Sequence, residues 1–338
     1  MREKYSLKRG LLSRAQNYFV LGASVLGALI LIFFAISINL CYIWRLNQSS
    51  KNLEDSFLKL SQNQKILSAY LLNLQELKPI REVEENLPEI AARAAISLLI
   101  KNDSSERILY EKNKDQELAT ASLTKLMTAK IVFENYNLNE IIKIQKEAVE
   151  QIGKAGDYKI GESFKVEDLL YSILMESSND AAWALAQKIG INNFINLMNA
   201  EAKKIGLFNT YFVNPTGLPL RNSIQNTSTA SDLVKLGKYM LENDLPILNI
   251  SSLIEFDLFT ADGVFHHKIL NENKLLENYE NSVLGSKTGY TRKAKKCLFL
   301  IIKAPKNQGV IINVILGSEE HFAEMQKLID WLKRAYQW

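Results

Sequence analysis

The apolar positions of the chain fall into three regions with different spacing. Residues 19–44 carry no charged side chain, residues 45–80 contain apolar side chains at alternating steps of four and three, and residues 86–338 mix short apolar runs with polar turns. Because roughly 20 apolar residues cross the hydrocarbon core of a bilayer, the first region predicts a transmembrane helix. Its length, and the lack of a small-residue cleavage site near its end, favour an uncleaved anchor over a signal peptide.

The second region, residues 45–80, predicts a helix with about three heptads. The seam consists of Leu53, Phe57, Leu60, Gln64, Leu67, Leu71 and Leu74. This pattern fits a stalk that self-associates through residues 53–74, and it fits equally an amphipathic helix packed on its own domain. In either case a helix over this segment spans roughly 50 Å, at 1.5 Å per residue.

The third region, residues 86–338, predicts one α+β domain. Apolar runs at 94–100 and 106–110 flank a polar turn, and runs at 297–302 and 310–316 flank a second one, so each pair predicts a β-hairpin. Helical patterns fill residues 121–136, 166–206 and 228–241, and a last helix is expected to place Phe322, Met325, Ile329, Leu332 and Tyr336 on one face. Strands at both ends with helices between them indicate a sheet that joins the two ends of the domain.

Charge narrows the possible partners. The net charge is +4, and residues 1–18 carry five Lys and Arg against one Glu, so the other residues balance to zero. A basic surface for nucleic acid is therefore not supported. The positive tail at 1–18 is expected to stay in the cytoplasm, which places everything after the anchor on the outer side of the cytoplasmic membrane. The two cysteines, Cys41 and Cys297, are not expected to form a disulfide.

Three short strings carry the candidate chemistry: Ser122-Leu-Thr-Lys125, Ser177-Ser-Asn179 and Lys287-Thr-Gly289. Each is weak by itself, but their order and spacing make the set specific. If a helix begins at Ala121, Ser122 lies in its first turn, where free N–H groups favour a developing oxyanion, and Lys125 lies one turn away on the same face. Ser122 is then the nucleophile, and a neutral Lys125 is the base that takes its proton.

The other two strings supply the remaining groups. The Ser177 hydroxyl is suited to relay a proton, and the Asn179 amide is suited to hold a substrate carbonyl and the lysine, although Ser and Asn at this place also fit a helix cap. Lys287 and Thr288 are suited to grip a carboxylate, Gly289 lets a substrate approach closely, and the backbone N–H of Tyr290 is a candidate oxyanion donor. A charged Lys287 near Lys125 is expected to help lower the Lys125 pKa, together with burial.

No metal or other cofactor is expected. His266 and His267 are adjacent, so in a strand their side chains are predicted to point to opposite faces, and His321 is distant in sequence. These histidines are better explained as exposed or structural residues.

The three strings are typical of the serine penicillin-recognising enzymes, and the chain resembles the low-molecular-mass D-alanyl-D-alanine carboxypeptidases over residues 88–338. Further strings that carry this resemblance are Ala121-Ser-Leu-Thr-Lys-Leu-Met-Thr-Ala129, Val166-Glu-Asp-Leu-Leu170, Asn214-Pro-Thr-Gly-Leu218, Ser228-Thr-Ala230, Asn271-Glu-Asn-Lys-Leu-Leu276 and Gly285-Ser-Lys-Thr-Gly-Tyr-Thr291. Two positions depart from the family pattern, Ser178 where Gly is usual and Lys295 where the family has Gly after Ala294.

The resemblance implies a β-lactamase/transpeptidase-like fold, with an antiparallel sheet, flanking helices and a helical subdomain. It also implies an extracytoplasmic enzyme that removes the terminal D-alanine from peptidoglycan stem peptides through an acyl-serine, with β-lactam antibiotics as covalent inhibitors. A D,D-endopeptidase acting on cross-linked peptides uses the same residues and stays open.

A class A β-lactamase is less favoured, because Glu242-Asn-Asp-Leu-Pro246 ends in proline where the string that activates the deacylating water needs Asn. An inactive peptidoglycan-binding homologue is also less favoured, because Ser122, Lys125 and Lys287 are all present.

Overall fold

The computed structural model describes Gln64 and residues 79–82, 85–153, 156–220, 224–279 and 281–338. The chain divides into one unit at Met1–Leu77 and a second at Lys78–Trp338. The predicted tail at 1–18 and transmembrane segment at 19–44 lie outside the described residues, and so does the predicted helix at 45–80 except for Gln64 and its last two positions. Within the described part of the chain, no helix is both long and apolar enough to cross a membrane.

The second unit is built on a five-stranded antiparallel sheet made from the two ends of the domain. In spatial order its strands are β10 (Val283–Thr291), β11 (Lys295–Lys303), β12 (Val310–Ser318), β2 (Ala94–Ile100) and β3 (Glu106–Lys112). Strands β2 and β3 form the first predicted hairpin, and β11 and β12 form the second. Both hairpin predictions are confirmed, and so is the joining of the two ends in one sheet.

Both faces of this sheet are buried, and the side chains of β11 alternate between them. Leu298 and Leu300 pack into the cluster that contains the last helix, α9 (His321–Ala335). Phe299 and Ile301 pack into the larger cluster on the opposite face, which contains most of the helices. The alternation follows from the two-residue period of a strand. The sheet is therefore a middle layer with helices on each side.

The larger layer is helical and surrounds one central helix, α1 (Thr124–Asn135), in which every residue from 124 to 132 is buried. Between residues 136 and 320, the helices of the described residues are α2 (Lys146–Val149), α3 (Val166–Leu174), α4 (Asn179–Gln187), α5 (Ile191–Lys204), α6 (Ala230–Asn243), α7 (Leu245–Ser251) and α8 (Leu275–Asn278). A helix that is buried all round must be enclosed by neighbours, and these elements supply them.

Four short antiparallel pairs complete the described strands. They are β1 (Ile80–Arg81) with β13 (Tyr336–Gln337), β4 (Leu118–Ala119) with β7 (Thr227–Ser228), β5 (Ile141–Lys143) with β6 (Ser163–Lys165), and β8 (Glu255–Phe259) with β9 (Phe265–Leu270). Tyr336, which the sequence pattern placed in the last helix, belongs instead to β13. The pair β1 and β13 brings the start of the described domain to its end.

Two further details differ from the sequence-based expectation. Ala121 does not begin an α-helix, because Ala121–Leu123 form a 3₁₀ turn and Ala121 has a φ of 46°. The adjacent histidines do not point to opposite faces, since their Nδ1 atoms lie 2.6 Å apart. In the β8–β9 ladder Leu258 pairs with His267 and Phe259 with Phe265, so His266 is an extra residue in the register. Such a bulge interrupts the alternation of side chains, which explains the error.

Candidate active site

The three predicted strings meet at one end of the central helix. Ser122 lies in the 3₁₀ turn and Lys125 in the first turn of α1, while Ser177 and Asn179 come from the connection between α3 and α4. Lys287 lies inside β10 rather than before a strand. Because β10 is an edge strand of the main sheet, its outer edge is available to the helical layer. The site therefore forms where the sheet edge meets the start of α1.

Lys125 is at the centre of the hydrogen-bond network. Its Nζ lies 2.9 Å from Ser122 Oγ, 2.7 Å from Asn179 Oδ1 and 3.0 Å from the backbone oxygen of Thr216. The side chain is 0 % exposed. Burial, followed by the positive charge of Lys287, holds the Lys125 pKa well below its ordinary value. Both causes favour the neutral amine.

The three neighbours of Lys125 suit a neutral amine. Asn179 Oδ1 and Thr216 O are acceptors only, so each takes one of the two N–H groups. The remaining lone pair then faces Ser122, whose hydroxyl is the one neighbour of the three that has a proton to give. The arrangement can therefore pass a proton directly from Ser122 Oγ to Lys125 Nζ.

The three side chains of the Ser177-Ser-Asn179 string make different contacts. Ser178 accepts a hydrogen bond from Ala181 N and caps α4, so the cap interpretation applies to this residue. Ser177 has a φ of 63°, and among the described residues its buried Oγ finds no hydrogen-bond partner. Asn179 accepts from Lys125 through Oδ1 and donates through Nδ2 to the oxygens of Ile152 and Gly153. The amide thus positions the lysine, while its N–H groups are engaged by the neighbouring loop.

Lys287 is a second buried cation. Its side chain is 1 % exposed, and its Nζ donates to the backbone oxygen of Thr288 at 3.1 Å. Burial lowers the Lys287 pKa to about 8, against an opposing effect of the Glu272 carboxylate. Thr288 Oγ1 donates to Glu272 Oε2 at 2.7 Å, and that oxygen lies 3.9 Å from Lys287 Nζ. The ammonium and the hydroxyl predicted to grip a carboxylate therefore lie together, next to a carboxylate of the protein itself.

Gly289 allows β10 to pass close to the nucleophile. A Cβ at this position would lie 2.9 Å from the backbone nitrogen of Ser122 and 3.2 Å from that of Leu123. At this point β10 lies directly against the turn that carries Ser122, and the side chain of the next residue, Tyr290, is 64 % exposed. Gly289 is thus required by the space between strand and turn, which is a specific reason for glycine in a strand.

A second support for the turn comes from residues 214–218, a string that carries the family resemblance but had no predicted role. Gly217 has a φ of 86°, and a Cβ there would lie 1.9 Å from the backbone oxygen of Ala121. Asn214 Oδ1 accepts from Thr216 N and Gly217 N, which fixes the loop that offers the Thr216 oxygen to Lys125. These contacts were missed because a carbonyl acceptor leaves no side-chain pattern. Gly217 and Asn214 were the residues in the sequence that could have indicated this loop.

The adjacent histidines of β9, His266 and His267, each lie next to a glutamate. His266 Nε2 is 3.2 Å from Glu162 Oε2, and His267 Nε2 is 3.0 Å from Glu176 Oε2. Over the described residues, no group of three or more His, Cys, Asp or Glu side chains is arranged to hold a metal ion. Glu176 directly precedes Ser177, so this pair supports the loop behind the site.

Comparison with known proteins places this site among related sequences. The family described as D-alanyl-D-alanine carboxypeptidase matches residues 81–320. A D-alanyl-D-alanine endopeptidase of Pseudomonas aeruginosa is 33 % identical over 255 residues, which cover 73 % of this chain and 80 % of the relative. The D-alanyl-D-alanine carboxypeptidase DacF of Bacillus subtilis is 31 % identical over 259 residues, which cover 74 % of this chain and 64 % of that relative.

A solved structure extends the similarity to three dimensions. The Streptomyces K15 DD-transpeptidase has a TM-score of 0.64 and 28 % sequence identity, and the match covers 74 % of this chain and 99 % of that chain. The β-lactamase/transpeptidase-like fold expected from the sequence, with mixed helices and sheet, is therefore confirmed.

Proposed function

The chain belongs to the D-alanyl-D-alanine carboxypeptidase family of serine peptidases, and from that premise we propose that it removes the terminal D-alanine from peptidoglycan stem peptides through an acyl-Ser122 intermediate. The observation that carries the proposal is the placement of Ser122 Oγ 2.9 Å from the amine of a fully buried Lys125. A serine becomes a nucleophile only when a base of suitable pKa lies within reach, and this geometry supplies one.

Acylation follows from the contacts of the site. Lys125 Nζ takes the Ser122 proton as Oγ attacks the carbonyl carbon of the penultimate residue, and the new C–O bond pushes charge onto the carbonyl oxygen. The backbone N–H groups of Ser122 and Tyr290 are the proposed donors to that oxyanion. The C–N bond then breaks, and the proton on Lys125 passes to the leaving amine. The relay is the Ser177 hydroxyl, which has no hydrogen-bond partner within the described part of the chain.

Deacylation repeats the same sequence with water. The lysine is neutral again once D-alanine has left, so it takes a proton from water as the water oxygen attacks the ester carbonyl. The C–O bond to Ser122 breaks, and the proton returns to Oγ. A β-lactam follows the first half of this route, because opening its ring leaves the departing amine attached to the acyl group. We therefore propose β-lactams as covalent inhibitors.

The substrate's free carboxylate is assigned to Lys287 and Thr288. Their ammonium and hydroxyl lie at the strand edge beside Gly289, where an extended peptide can lie against β10. No metal or other cofactor takes part in the proposed steps.

The test is labelling of the full-length protein by penicillin, followed by mass mapping. A covalent adduct on Ser122 is expected, and Ser122→Ala is expected to lose both the adduct and carboxypeptidase activity while its circular dichroism stays unchanged. Ser252→Ala, at a half-buried serine whose Oγ donates to the backbone oxygen of Asn249, is the matched control and should be labelled normally. Normal labelling of Ser122→Ala would overturn the mechanism.

Endopeptidase activity on cross-linked peptides is the second candidate, and the observation that favours it is the 33 % identity to the Pseudomonas aeruginosa endopeptidase. The same acylation serves both reactions, because only the leaving amine differs. Comparing kcat/KM on a pentapeptide monomer and on a cross-linked dimer decides between them. A larger value on the dimer would replace the carboxypeptidase assignment by the endopeptidase.

We also propose that the enzyme is a single-pass protein of the cytoplasmic membrane, with residues 1–18 inside and the catalytic domain outside. The charge-free run at 19–44 and the +4 of the tail support this orientation. Protease added to spheroplasts should then degrade the catalytic domain and leave a short membrane fragment. A soluble mature form lacking residues 1–45 would refute this topology.

We propose in addition that the enzyme forms a homo-oligomer through residues 53–74. Cross-linking of the full-length protein through cysteines placed in this segment tests the proposal. If no cross-linked species forms, the alternative of a helix packed on its own domain is left.

A further inference from the structure

Glu272 enters the active site from the connection between β9 and α8. Its backbone nitrogen donates to Met175 O at 3.0 Å, directly before the Ser177 loop. The preceding Asn271 donates through Nδ2 to the oxygens of Ser251 and Leu253, so the connection is held from both sides. The Glu272 side chain is 48 % exposed and reaches across to Thr288. Its backbone is thus fixed, and its carboxylate is at the solvent side of the site.

The Glu272 carboxylate takes the contacts that the proposed mechanism gives to the substrate. Oε2 accepts the hydrogen bond from Thr288 Oγ1 at 2.7 Å and lies 3.9 Å from Lys287 Nζ. A substrate carboxylate bound by the same hydroxyl would lie within a few ångströms of it. Glu272 already faces the Lys287 cation, so a substrate carboxylate bound by the same hydroxyl would have to share that cation with a second negative charge.

Like charges a few ångströms apart repel each other in water, and they repel more strongly at a partly buried site, where the effective dielectric constant is lower. Rotation of the Glu272 side chain into solvent reduces the repulsion. It does not abolish it, because the anchored backbone keeps the carboxylate within the roughly 8–10 Å over which salt screens charges. A leaving residue that carries no charge beside the scissile bond avoids this cost and can still accept from Thr288.

We propose that Glu272 is a specificity-determining residue that disfavours a free carboxylate on the leaving residue. Compared with a site that lacks this charge, the wild-type site then favours substrates whose leaving residue carries a neutral group, such as a carboxamide, in place of the free carboxylate. This inference rests on the proposed function and deepens it, because it concerns the leaving-group side of the same acylation. It assigns a role to a residue that touches the Lys287 and Thr288 clamp and that no catalytic string contains.

The experiment compares two peptides that differ in one group, an acylated tripeptide ending in D-Ala-D-Ala with a free carboxylate and the same peptide ending in D-alaninamide. The measured quantity is the ratio of kcat/KM for the carboxylate peptide to kcat/KM for the amide. Glu272→Gln keeps an acceptor for Thr288 but removes the charge. At a pH well below 8, chosen so that Lys287 stays charged when Glu272 no longer raises its pKa, we expect the ratio to rise roughly tenfold or more in this variant, almost entirely through the carboxylate peptide.

Glu277→Gln, which removes an exposed carboxylate from α8, is the matched control, and its ratio should equal that of the wild type. An unchanged ratio in Glu272→Gln would overturn the inference, and so would an equal change of kcat/KM on both peptides. Failure of the proposed function gives a different result, since the wild-type enzyme would then hydrolyse neither peptide and would not be labelled by penicillin.

Discussion

Replacing Lys125 by arginine tests the central step of the mechanism. The lysine amine lies 2.9 Å from Ser122 Oγ and is 0 % exposed, and its low pKa arises from burial and from the charge of Lys287. Arginine keeps a positive charge at every pH at which the protein is folded, so it cannot accept the serine proton. General-base catalysis contributes roughly 10²–10⁴-fold, and we therefore expect Lys125→Arg to acylate about a thousandfold more slowly, or not measurably.

The assay is the second-order rate constant for labelling by a fluorescent penicillin, followed by gel fluorescence at several times and concentrations. Lys130→Arg is the matched control, because Lys130 is also buried in α1 but pairs with Glu134, Glu201 and Asp244 away from the nucleophile. Its neighbours raise the Lys130 pKa, so a charged side chain is already accommodated there. Both variants should keep the far-ultraviolet circular dichroism of the wild type.

A Lys125→Arg rate within tenfold of the wild-type rate would refute the reasoning. The base would then have to be another group, and the buried, low-pKa amine would have only a structural role. Loss of labelling in Lys130→Arg as well, with intact secondary structure, would equally show that the effect comes from disturbing α1 and not from the missing base.

Two further predictions concern β10. Lys287 loses its charge as the pH rises through its pKa of about 8, so kcat/KM on carboxylate peptides should fall above that pH in the wild type. Lys287→Arg should raise KM roughly tenfold and remove this fall, because arginine stays charged; a fall that persists in the variant would show that another group titrates. Gly289→Ala places a methyl group 2.9 Å from Ser122 N and should slow penicillin labelling roughly a hundredfold by moving the turn, as expected for displaced catalytic groups. Wild-type labelling of Gly289→Ala would show that the turn tolerates the shift.

Much of the fold could be predicted from local patterns in the sequence. The two hairpins have apolar runs on each side of polar turns, and the three strings carry their own chemistry, so both were visible in the sequence. Contacts made through the backbone were not visible. The hydrogen bond from Lys125 to the Thr216 oxygen and the φ of 46° at Ala121 both depend on how distant segments pack. Neither requires a particular residue type, so neither can be read from the sequence.

Other differences arose where a rule based on local sequence did not hold in the folded protein. The alternation of side chains in a strand failed for His266 and His267 because the β8–β9 register contains an extra residue. Glu272 was visible as part of a family-like string, but only the fold shows that its carboxylate meets Thr288. Asn179 was expected to hold a substrate carbonyl and the lysine; its Oδ1 accepts from Lys125, while its N–H groups donate to the oxygens of Ile152 and Gly153, a contact that the sequence did not indicate.

The pairing of β2 with β12 has a consequence for how the enzyme forms. Ser97 Oγ donates to Asn313 Oδ1 in the middle of the sheet, across 216 positions of sequence. Contacts between such distant positions carry a large loop-closure entropy and slow the folding reaction. During synthesis β2 emerges long before β12, so the pairing of β2 with β12 must wait until that distant strand has been made. Any product truncated before β12 therefore lacks the strand that connects β2 and β3 to β10 and β11, so its sheet cannot form as one unit.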